Sequence, residues 1–219
     1  MLNRLFPDDV VTATATPRMW DAPISPREAP AIAGAARKRR RDYAAGRACA
    51  RLALRRLGIT GVSLPSDADG VPVWPRGVVG SLAHCNGFCA AALSSAPHIR
   101  SVGLDAEPAG PLPKDVRQFI CSQRETDWIA GQPPDTHGNW YKILFCAKES
   151  AFKAVFSLTR RPFDFWGLEV EFLPDSNRFS IGRAPALPSA RLGVIGRFAQ
   201  TGTHVLAGVT IANRNRDEI

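Results

Sequence analysis

The sequence predicts an α+β fold built from two similar-sized halves, and three observations lead to that prediction. Strand, helix and further strands follow one another in this order twice along the chain. The part of the chain after residue 167 alternates apolar and polar residues as β-strands do. The 219 residues are 45% hydrophobic, which is enough for a folded core. We expect the halves to comprise residues 1–102 and 103–219, although no sequence repeat relates them.

The first half begins with a short strand, Val10–Thr14, followed by Pro-rich loops. In Ser25-Pro26-Arg27-Glu28, a capping Ser, a Pro at the first helical position and a Glu three residues after the Ser predict a helix start. Pro30 interrupts or restarts that helix. The Ala, Arg and Leu composition of residues 31–57 then predicts the first long helix, which Gly58 ends.

A hairpin and a strand follow the first long helix. Residues 78–84 and 88–93 flank Asn86-Gly87, a dipeptide that favours a tight hairpin turn. Residues 100–107 form the next predicted strand, and the prolines after it end it.

The second half continues with a helical stretch over residues 114–129 and a Gly- and Pro-rich loop over residues 131–138. Apolar residues at helical spacing predict the second long helix over Trp140–Phe156. The remaining predicted strands are Leu168–Phe172, Arg178–Ile181, Leu192–Phe198 and His204–Ile211.

The composition indicates the charge of the binding partner and the cellular compartment of the protein. The formal net charge of +8 and the pI near 9.8 indicate an anionic partner, but do not distinguish nucleic acid, a phosphate cofactor or an acidic protein. Five scattered cysteines, an odd number, favour reduced thiols. No run of 18 apolar residues occurs, and Asp8 and Asp9 stand where a signal peptide would be apolar. We therefore expect a cytoplasmic protein without a membrane segment.

Three carboxylates are the candidate metal ligands. Period-two alternation in Val102-Gly103-Leu104-Asp105-Ala106-Glu107 places Asp105 and Glu107 on one face of a strand, where they can share a cation. Two acids at a strand end are more often a solvated face, so a third ligand is needed. Glu149 supplies it, and oxygen donors without His or Cys favour Mg²⁺ with a phosphate ester, Mn²⁺ being possible.

The second long helix makes Glu149 a functional candidate. Glu149 and Lys153 lie four residues apart, opposite the apolar stripe, where an exposed ion pair would be unremarkable. Three phenylalanines share that side, Phe145, Phe152 and Phe156, and such large apolar side chains are rarely left exposed to water. A carboxylate and an ammonium on a buried Phe-lined face need each other, a metal or a phosphate.

The first long helix carries the other candidate phosphate ligands. It contains nine Arg and Lys residues between positions 37 and 56, and Arg40, Arg47 and Arg51 share one stripe. The same pattern suits an anion site, a solvated basic face or a nucleic-acid-binding module.

Together these motifs resemble the 4′-phosphopantetheinyl transferases, of the monomeric type serving siderophore, polyketide and nonribosomal-peptide synthesis. The resemblance spans most of the chain. It rests on residues 102–107, on Phe145-Cys146-Ala147-Lys148-Glu149-Ser150-Ala151-Phe152-Lys153-Ala154, on Gly80-Ser81-Leu82-Ala83-His84 and on the helix around Arg39–Arg51. It implies two α+β halves related by a pseudo-twofold axis, each with a small antiparallel sheet and a long helix, and a cofactor between them.

The resemblance also implies roles for single residues. Asp105, Glu107 and Glu149 would hold Mg²⁺ against the coenzyme A pyrophosphate, and Glu149 is the candidate base. His84 and Lys153 would contact phosphate at the catalytic centre. The remaining cofactor-binding positions that the motifs imply are Arg39 and Arg47, at the 3′-phosphoadenosine end, and Ala83.

Two positions depart from the family pattern. Ala83 stands where relatives carry Ser or Thr, and the loop Ser66–Asp69 lacks a common basic residue. The implied activity moves phosphopantetheine from coenzyme A to a serine of an acidic carrier protein, by a monomer that binds neither nucleic acid nor membrane. The alternatives are a basic nucleic-acid-binding module and a coenzyme A-binding protein without activity.

Overall fold

A computed structural model describes residues 1–183 and 192–213 of the chain. In these ranges it has two antiparallel sheets and four α-helices, so the predicted α+β class is confirmed. No helix of these ranges is both long enough and apolar enough to cross a bilayer. The helices are α1 (Arg37–Arg56), α2 (Lys114–Ile120), α3 (Gln123–Ala130) and α4 (His137–Thr159); the strands are β1 (Val11–Thr14), β2 (Val79–Cys85), β3 (Phe88–Ser94), β4 (Ile99–Pro108), β5 (Glu169–Leu173), β6 (Arg178–Arg183), β7 (Leu192–Gln200) and β8 (His204–Asn213).

The first sheet has the order β1-β3-β2, and α1 packs across it. The packing face of α1 is made of small residues such as Ala45, Cys49 and Ala53, all fully buried, which allows the helix to lie close to the strands. In the turn between β2 and β3 only Gly87 adopts a positive φ, at +75°. The predicted hairpin is confirmed, with seven paired residues on each strand.

The predicted start of the first long helix is wrong. Residues 29–32 form a 3₁₀ helix, and α1 begins only at Arg37. The Ser25 amide donates to the Glu28 carboxylate at 2.9 Å, but the Ser25 hydroxyl caps nothing. Glu28 is completely buried, where its other oxygen accepts from Arg51 at 2.7 Å and from the Leu64 amide at 2.9 Å. Glu28 therefore does not belong to a helix cap but connects the segment before α1 to Arg51 and Leu64.

The second sheet has the order β4-β8-β7-β6-β5, and α4 packs on β4 and β8. The apolar stripe of α4 is buried as predicted, although the helix is longer at both ends. The helical stretch expected over residues 114–129 is two helices. It breaks at Ser122, which forms a capping box with Glu125 and starts α3. Part of the predicted loop over residues 131–138 is also helical.

The two sheets meet along β2 and β4. The Leu104 amide donates to the Ser81 hydroxyl at 3.0 Å, and Leu104, Val102 and Ala106 are buried with residues of the first half. Gly103 permits α4 to lie directly against β4, because a Cβ there would stand 1.9 Å from the Ser150 carbonyl oxygen. Since β4 runs through the expected boundary between residues 102 and 103, that division stays a prediction.

Candidate active site

A cleft of about 390 Å³ lies between the two halves. One wall consists of α1, β2 and a loop over residues 66–72, and the other is the second half of α4. Of the residues predicted for the site, four line this cleft. They are Arg39, Arg47, His84 and Lys153.

Asp105 links the cleft to the acidic residues behind it. Its side chain is buried, and one oxygen accepts from Lys153 Nζ at 2.6 Å. The other oxygen, Oδ2, is buried without a hydrogen-bond partner in the described part of the chain. Burial lowers the pKa of Lys153, but the Asp105 carboxylate and Glu149 outweigh it, so the pKa is raised. Lys153 therefore carries a proton throughout the neutral range.

Glu107 and Glu149 complete the acidic group. Burial raises the pKa of each above its ordinary value, and the Asp105 charge raises both further. Lys142, 3.7 Å from Glu107, opposes the shift at Glu107. Within residues 1–183 and 192–213, no three His, Cys, Asp or Glu side chains are grouped as ligands of one metal ion. The donor chemistry nevertheless fits a hard cation, because three carboxylates repel one another and Asp105 Oδ2 lacks a partner.

The face of α4 that carries Glu149 and Lys153 is partly buried, as the sequence predicted. Phe152 stacks on Phe156 with ring centroids 5.6 Å apart, and Phe163 lies 5.0 Å from Phe152. Phe152 and Phe156 line the cleft together with Lys153 and are partly buried, so this face of α4 is not an ordinary solvated surface.

His84 and Arg39 meet on the opposite wall. Nη1 of Arg39 lies 3.3 Å from Nε2 of His84. A guanidinium can only donate, so this ring nitrogen accepts the hydrogen bond and carries no proton. Partial removal from water lowers the pKa of His84; the Asp42 carboxylate opposes this shift, and the cations Arg39 and Lys153 lower the pKa further. The imidazole is therefore neutral, with its proton on Nδ1.

Arg47 is buried, unlike Arg39. It donates to the Leu64 carbonyl at 2.6 Å and to the Ser66 hydroxyl at 2.8 Å, and its guanidinium lies 4.1 Å from the Tyr43 ring centroid. Arg47 thus supports the loop that forms part of the cleft as well as lining it.

Ala83 differs from the other predicted site residues. Its side chain is buried in the apolar cluster between the sheets and does not line the cleft, whereas Leu82 and His84 on either side do. Its predicted part in cofactor binding stays a prediction.

The basic residues of α1 do not form one uniform surface. Arg47 is buried, Arg51 binds Glu28, and Arg41 binds Asp21 at 3.0 Å, while Arg40 is exposed. The stripe predicted from Arg40, Arg47 and Arg51 is therefore divided among three environments.

Several cleft residues were not predicted. Asp42 and Tyr43 lie on the same face of α1 as Arg39 and Arg47, at spacings of three to four residues. Helical spacing from the two arginines would have identified both. Residues 69–72 could not be found in this way, because a loop has no periodicity.

Comparison with known proteins agrees with this geometry. The family model described as 4′-phosphopantetheinyl transferase N-terminal domain matches residues 27–94, and that of the 4′-phosphopantetheinyl transferase superfamily matches residues 101–201. The two matches together take in both walls of the cleft.

Named relatives give the same result. The 4′-phosphopantetheinyl transferase Svp of Streptomyces mobaraensis is 40% identical over 97% of this chain and 89% of its own. The 4′-phosphopantetheinyl transferase Npt of Nocardia iowensis is 39% identical over 78% of this chain and 77% of its own. PptT of Mycobacterium tuberculosis, also a 4′-phosphopantetheinyl transferase, is 42% identical over 69% of this chain and 66% of its own. The chain therefore belongs to the 4′-phosphopantetheinyl transferase family and is an enzyme that transfers phosphopantetheine from coenzyme A.

Proposed function

We propose that this enzyme moves 4′-phosphopantetheine onto a serine hydroxyl of an apo carrier protein, with Mg²⁺, and releases 3′,5′-ADP. The observation that carries the proposal is one cleft with cations on both walls and three mutually repelling carboxylates beside it. This combination suits a pyrophosphate bound together with a divalent cation.

The acidic group is proposed to hold the cation through Asp105, Glu107 and Glu149. When bound, the cation supplies positive charge to the pyrophosphate and stabilises the charge that builds on the departing phosphate. Lys153 is within 2.6 Å of Asp105 and stays protonated, so it donates to phosphate oxygen rather than accepting a proton. Its role is electrostatic.

The opposite wall is proposed to bind the nucleotide end. The neutral His84 donates from Nδ1 to a phosphate oxygen, and Arg39 supplies charge next to it. Arg47 has two of its donors committed to the loop at Leu64 and Ser66. Its contribution to the 3′-phosphoadenosine is therefore made together with that loop.

Glu149 is the proposed general base. In the reaction the serine oxygen forms a bond to the pantetheine-side phosphorus, and the phosphorus–oxygen bond to 3′,5′-ADP breaks. The serine proton passes to Glu149, directly or through water. Without a cation the pKa of Glu149 is raised, chiefly by burial and then by Asp105; a bound cation opposes this rise, so the proposed role rests on the place of Glu149 in the acidic group and not on its pKa.

An acidic carrier protein fits the exterior of the enzyme. The N-terminal turn of α1 exposes Arg37, Lys38, Arg39, Arg40 and Arg41; Arg39 lines the cleft, and Lys38 and Arg41 pair with Asp42 and Asp21. Opposite charges of this kind steer a partner and give an association rate that falls with salt. Since one chain provides both walls, we also propose that the enzyme works as a monomer.

The reaction is tested by intact mass spectrometry of the carrier. Purified enzyme, an apo carrier protein, coenzyme A and Mg²⁺ are mixed with and without a chelator. The proposal expects a gain of one phosphopantetheine that the chelator abolishes and fresh Mg²⁺ restores. A gain that persists in the chelator would remove the metal from the proposal, and no gain on several carriers would favour a binding protein.

The Glu149→Gln variant tests the base. A positioned base contributes about 10²–10⁴-fold, so turnover should fall by that factor while coenzyme A still binds. The matched control is Glu171→Gln, since Glu171 is an exposed glutamate paired with Arg124 at 2.8 Å. Near-wild-type turnover in Glu149→Gln would exclude Glu149 as the base.

A further inference from the structure

Arg160 joins the two halves at the edge of the cleft. It follows the last residue of α4, and its Nη1 lies 2.6 Å from Asp67 Oδ2 and 3.6 Å from Asp69 Oδ2. Every other ion pair among residues 1–183 and 192–213 stays on one side of residue 102. We call Arg160, Asp67 and Asp69 the Arg160 clamp.

The loop held by the clamp has a defined shape of its own. The second oxygen of Asp67 accepts from the amides of Asp69 and Val71, at 3.0 and 2.9 Å, and the Asp67 amide donates to the Val71 carbonyl. Ser66 and Pro72 are bridged at the base of the loop. One carboxylate thus shapes the loop with one oxygen and binds Arg160 with the other, so the loop moves with Arg160 as a unit.

Both partners of the clamp carry walls of the cleft. Residues 69–72 of the loop line one side, and Phe156 and Ser157, in the last turn of α4, line the other. Arg160 is fixed to that turn, because its amide donates to the Phe156 carbonyl at 2.8 Å. Its φ of +55° directs the chain away from the helix axis at this point. The contact between Arg160 and Asp67 therefore joins the two walls at this end of the cleft.

We propose that Arg160 is a positioning residue, which sets the width of the nucleotide end of the cleft through Asp67 and Asp69 without touching substrate. The inference rests on the proposed function, since the cleft must receive coenzyme A. It predicts that Arg160 acts on the binding of coenzyme A and leaves the chemical step, at Glu149 and Lys153, as it is.

The test is steady-state kinetics of Arg160→Gln with coenzyme A as the varied substrate. Exposed ion pairs shift an equilibrium by about two- to fivefold, so KM for coenzyme A should rise by about two- to fivefold while kcat changes less than twofold. Arg160→Lys should recover part of the loss. The control is Arg124→Gln, which removes an exposed ion pair lying wholly within the second half and should change neither constant.

A double-mutant cycle with Asp67→Asn separates the clamp from a general loss of charge. The asparagine side chain keeps a carbonyl oxygen for the amides of Asp69 and Val71, so the loop retains its shape while the charge is lost. In the double variant the rise in KM should be no larger than in Arg160→Gln alone. Additive effects, an unchanged KM, or a loss confined to kcat would overturn the clamp.

Assays of the wild-type enzyme distinguish a failure of the proposed function from a failure of the Arg160 clamp. If wild type does not load a carrier, the proposed function fails whatever the variants do. If wild type loads the carrier and Arg160→Gln matches it in KM, only the clamp fails. Thermal unfolding of each variant shows that the comparison is made between folded proteins.

Discussion

Two lysines of α4, only five residues apart, are used in opposite ways. Lys148 is completely buried and donates to the Ile120 carbonyl at 2.5 Å, to Glu125 at 2.7 Å and to the Phe165 carbonyl at 2.9 Å. Lys153 retains 31% of its side-chain exposure and donates to Asp105 and to the Leu104 carbonyl. One ammonium is fully satisfied by protein, and the other lies at the cleft with donor capacity to spare.

The difference teaches how to separate a structural ion pair from a functional one. An ammonium has three donors, and Lys148 uses all three on neighbouring segments of the second half. No donor is left for a ligand, so the role of Lys148 is to hold α2, α3 and the turn at Phe165 around α4. The third donor of Lys153 finds no acceptor in the described part of the chain, which supports the proposed role of Lys153 in the site. If burial were the only criterion for a functional lysine, Lys148 would have been chosen before Lys153.

The largest expected effect is on folding, from Lys148→Met. Removing the cation leaves Glu125 charged in a place where it is 5% exposed, and breaking a buried pair costs about 3–5 kcal/mol. The free energy of unfolding, measured in urea, should fall by that amount. A loss below about 1 kcal/mol would show that Glu125 reaches water or another partner, and the comparison between the two lysines would then fail.

Lys153→Met should reverse the pattern. The free energy of unfolding should also fall, because Asp105, like Glu125, is 5% exposed and loses its partner; the fall should be smaller than in Lys148→Met, because Lys153 is partly solvated and makes two hydrogen bonds where Lys148 makes three. In contrast, kcat/KM should fall about 100-fold, or roughly 2.7 kcal/mol of transition-state stabilisation. Chemical denaturation and transfer kinetics on the same preparations measure both quantities. If Lys153→Met loses stability but keeps its activity, Lys153 is structural as well.

The pH dependence of the Asp105–Lys153 pair follows from the raised pKa of Lys153. Its stabilising effect is fully present below the ordinary lysine pKa of 10.5 and is lost as the pH rises through the higher value of the folded state. Wild type should therefore lose more stability than Lys153→Met above pH 10.5. Parallel stability curves in that range would contradict the raised pKa.

The sequence singled out Lys153, the lysine proposed for the site, but did not reveal the structural role of Lys148. Asp105 and Lys153 lie on a strand and a helix whose periodicities, two and about 3.6 residues, show which side chains share a face. Lys148 and Glu125 lie on different helices, α4 and α3, and no shared periodicity predicts that they meet. In addition, residues 114–129 were expected to be one helix. The break at Ser122 that brings Glu125 inward has no apolar periodicity to indicate it, but Ser122-Gln123-Arg124-Glu125 is a capping-box pattern that would have predicted a helix start there.

The same limit applies to the walls of the cleft. The β2–β3 hairpin, β4 and the apolar stripe of α4 were predictable because each has a local signal. The family resemblance singled out Ser66–Asp69, but no local pattern gives the position of the loop over residues 66–72, because its partners are Arg47 on α1 and Arg160, 93 residues after Asp67. Glu28 is the opposite case, in which a local pattern is present but misleading. Ser25–Glu28 has the sequence of a helix cap, yet no α-helix starts there, and Glu28 forms a buried ion pair with Arg51.

The smallest expected effect concerns Ser122, which positions Glu125 for Lys148. The Ser122 hydroxyl accepts from the Glu125 amide at 3.2 Å, and the Glu125 carboxylate accepts from the Ser122 amide at 2.8 Å. Loss of an N-cap hydroxyl costs about 1 kcal/mol, so Ser122→Ala should lower the free energy of unfolding by that amount and leave kcat/KM unchanged. In the Lys148→Met background the same change should cost a different amount, because groups that share a partner are not additive. Equal costs in both backgrounds would mean that the cap and the buried ion pair act independently. Ser122 would then not be needed to position the Glu125 carboxylate for Lys148.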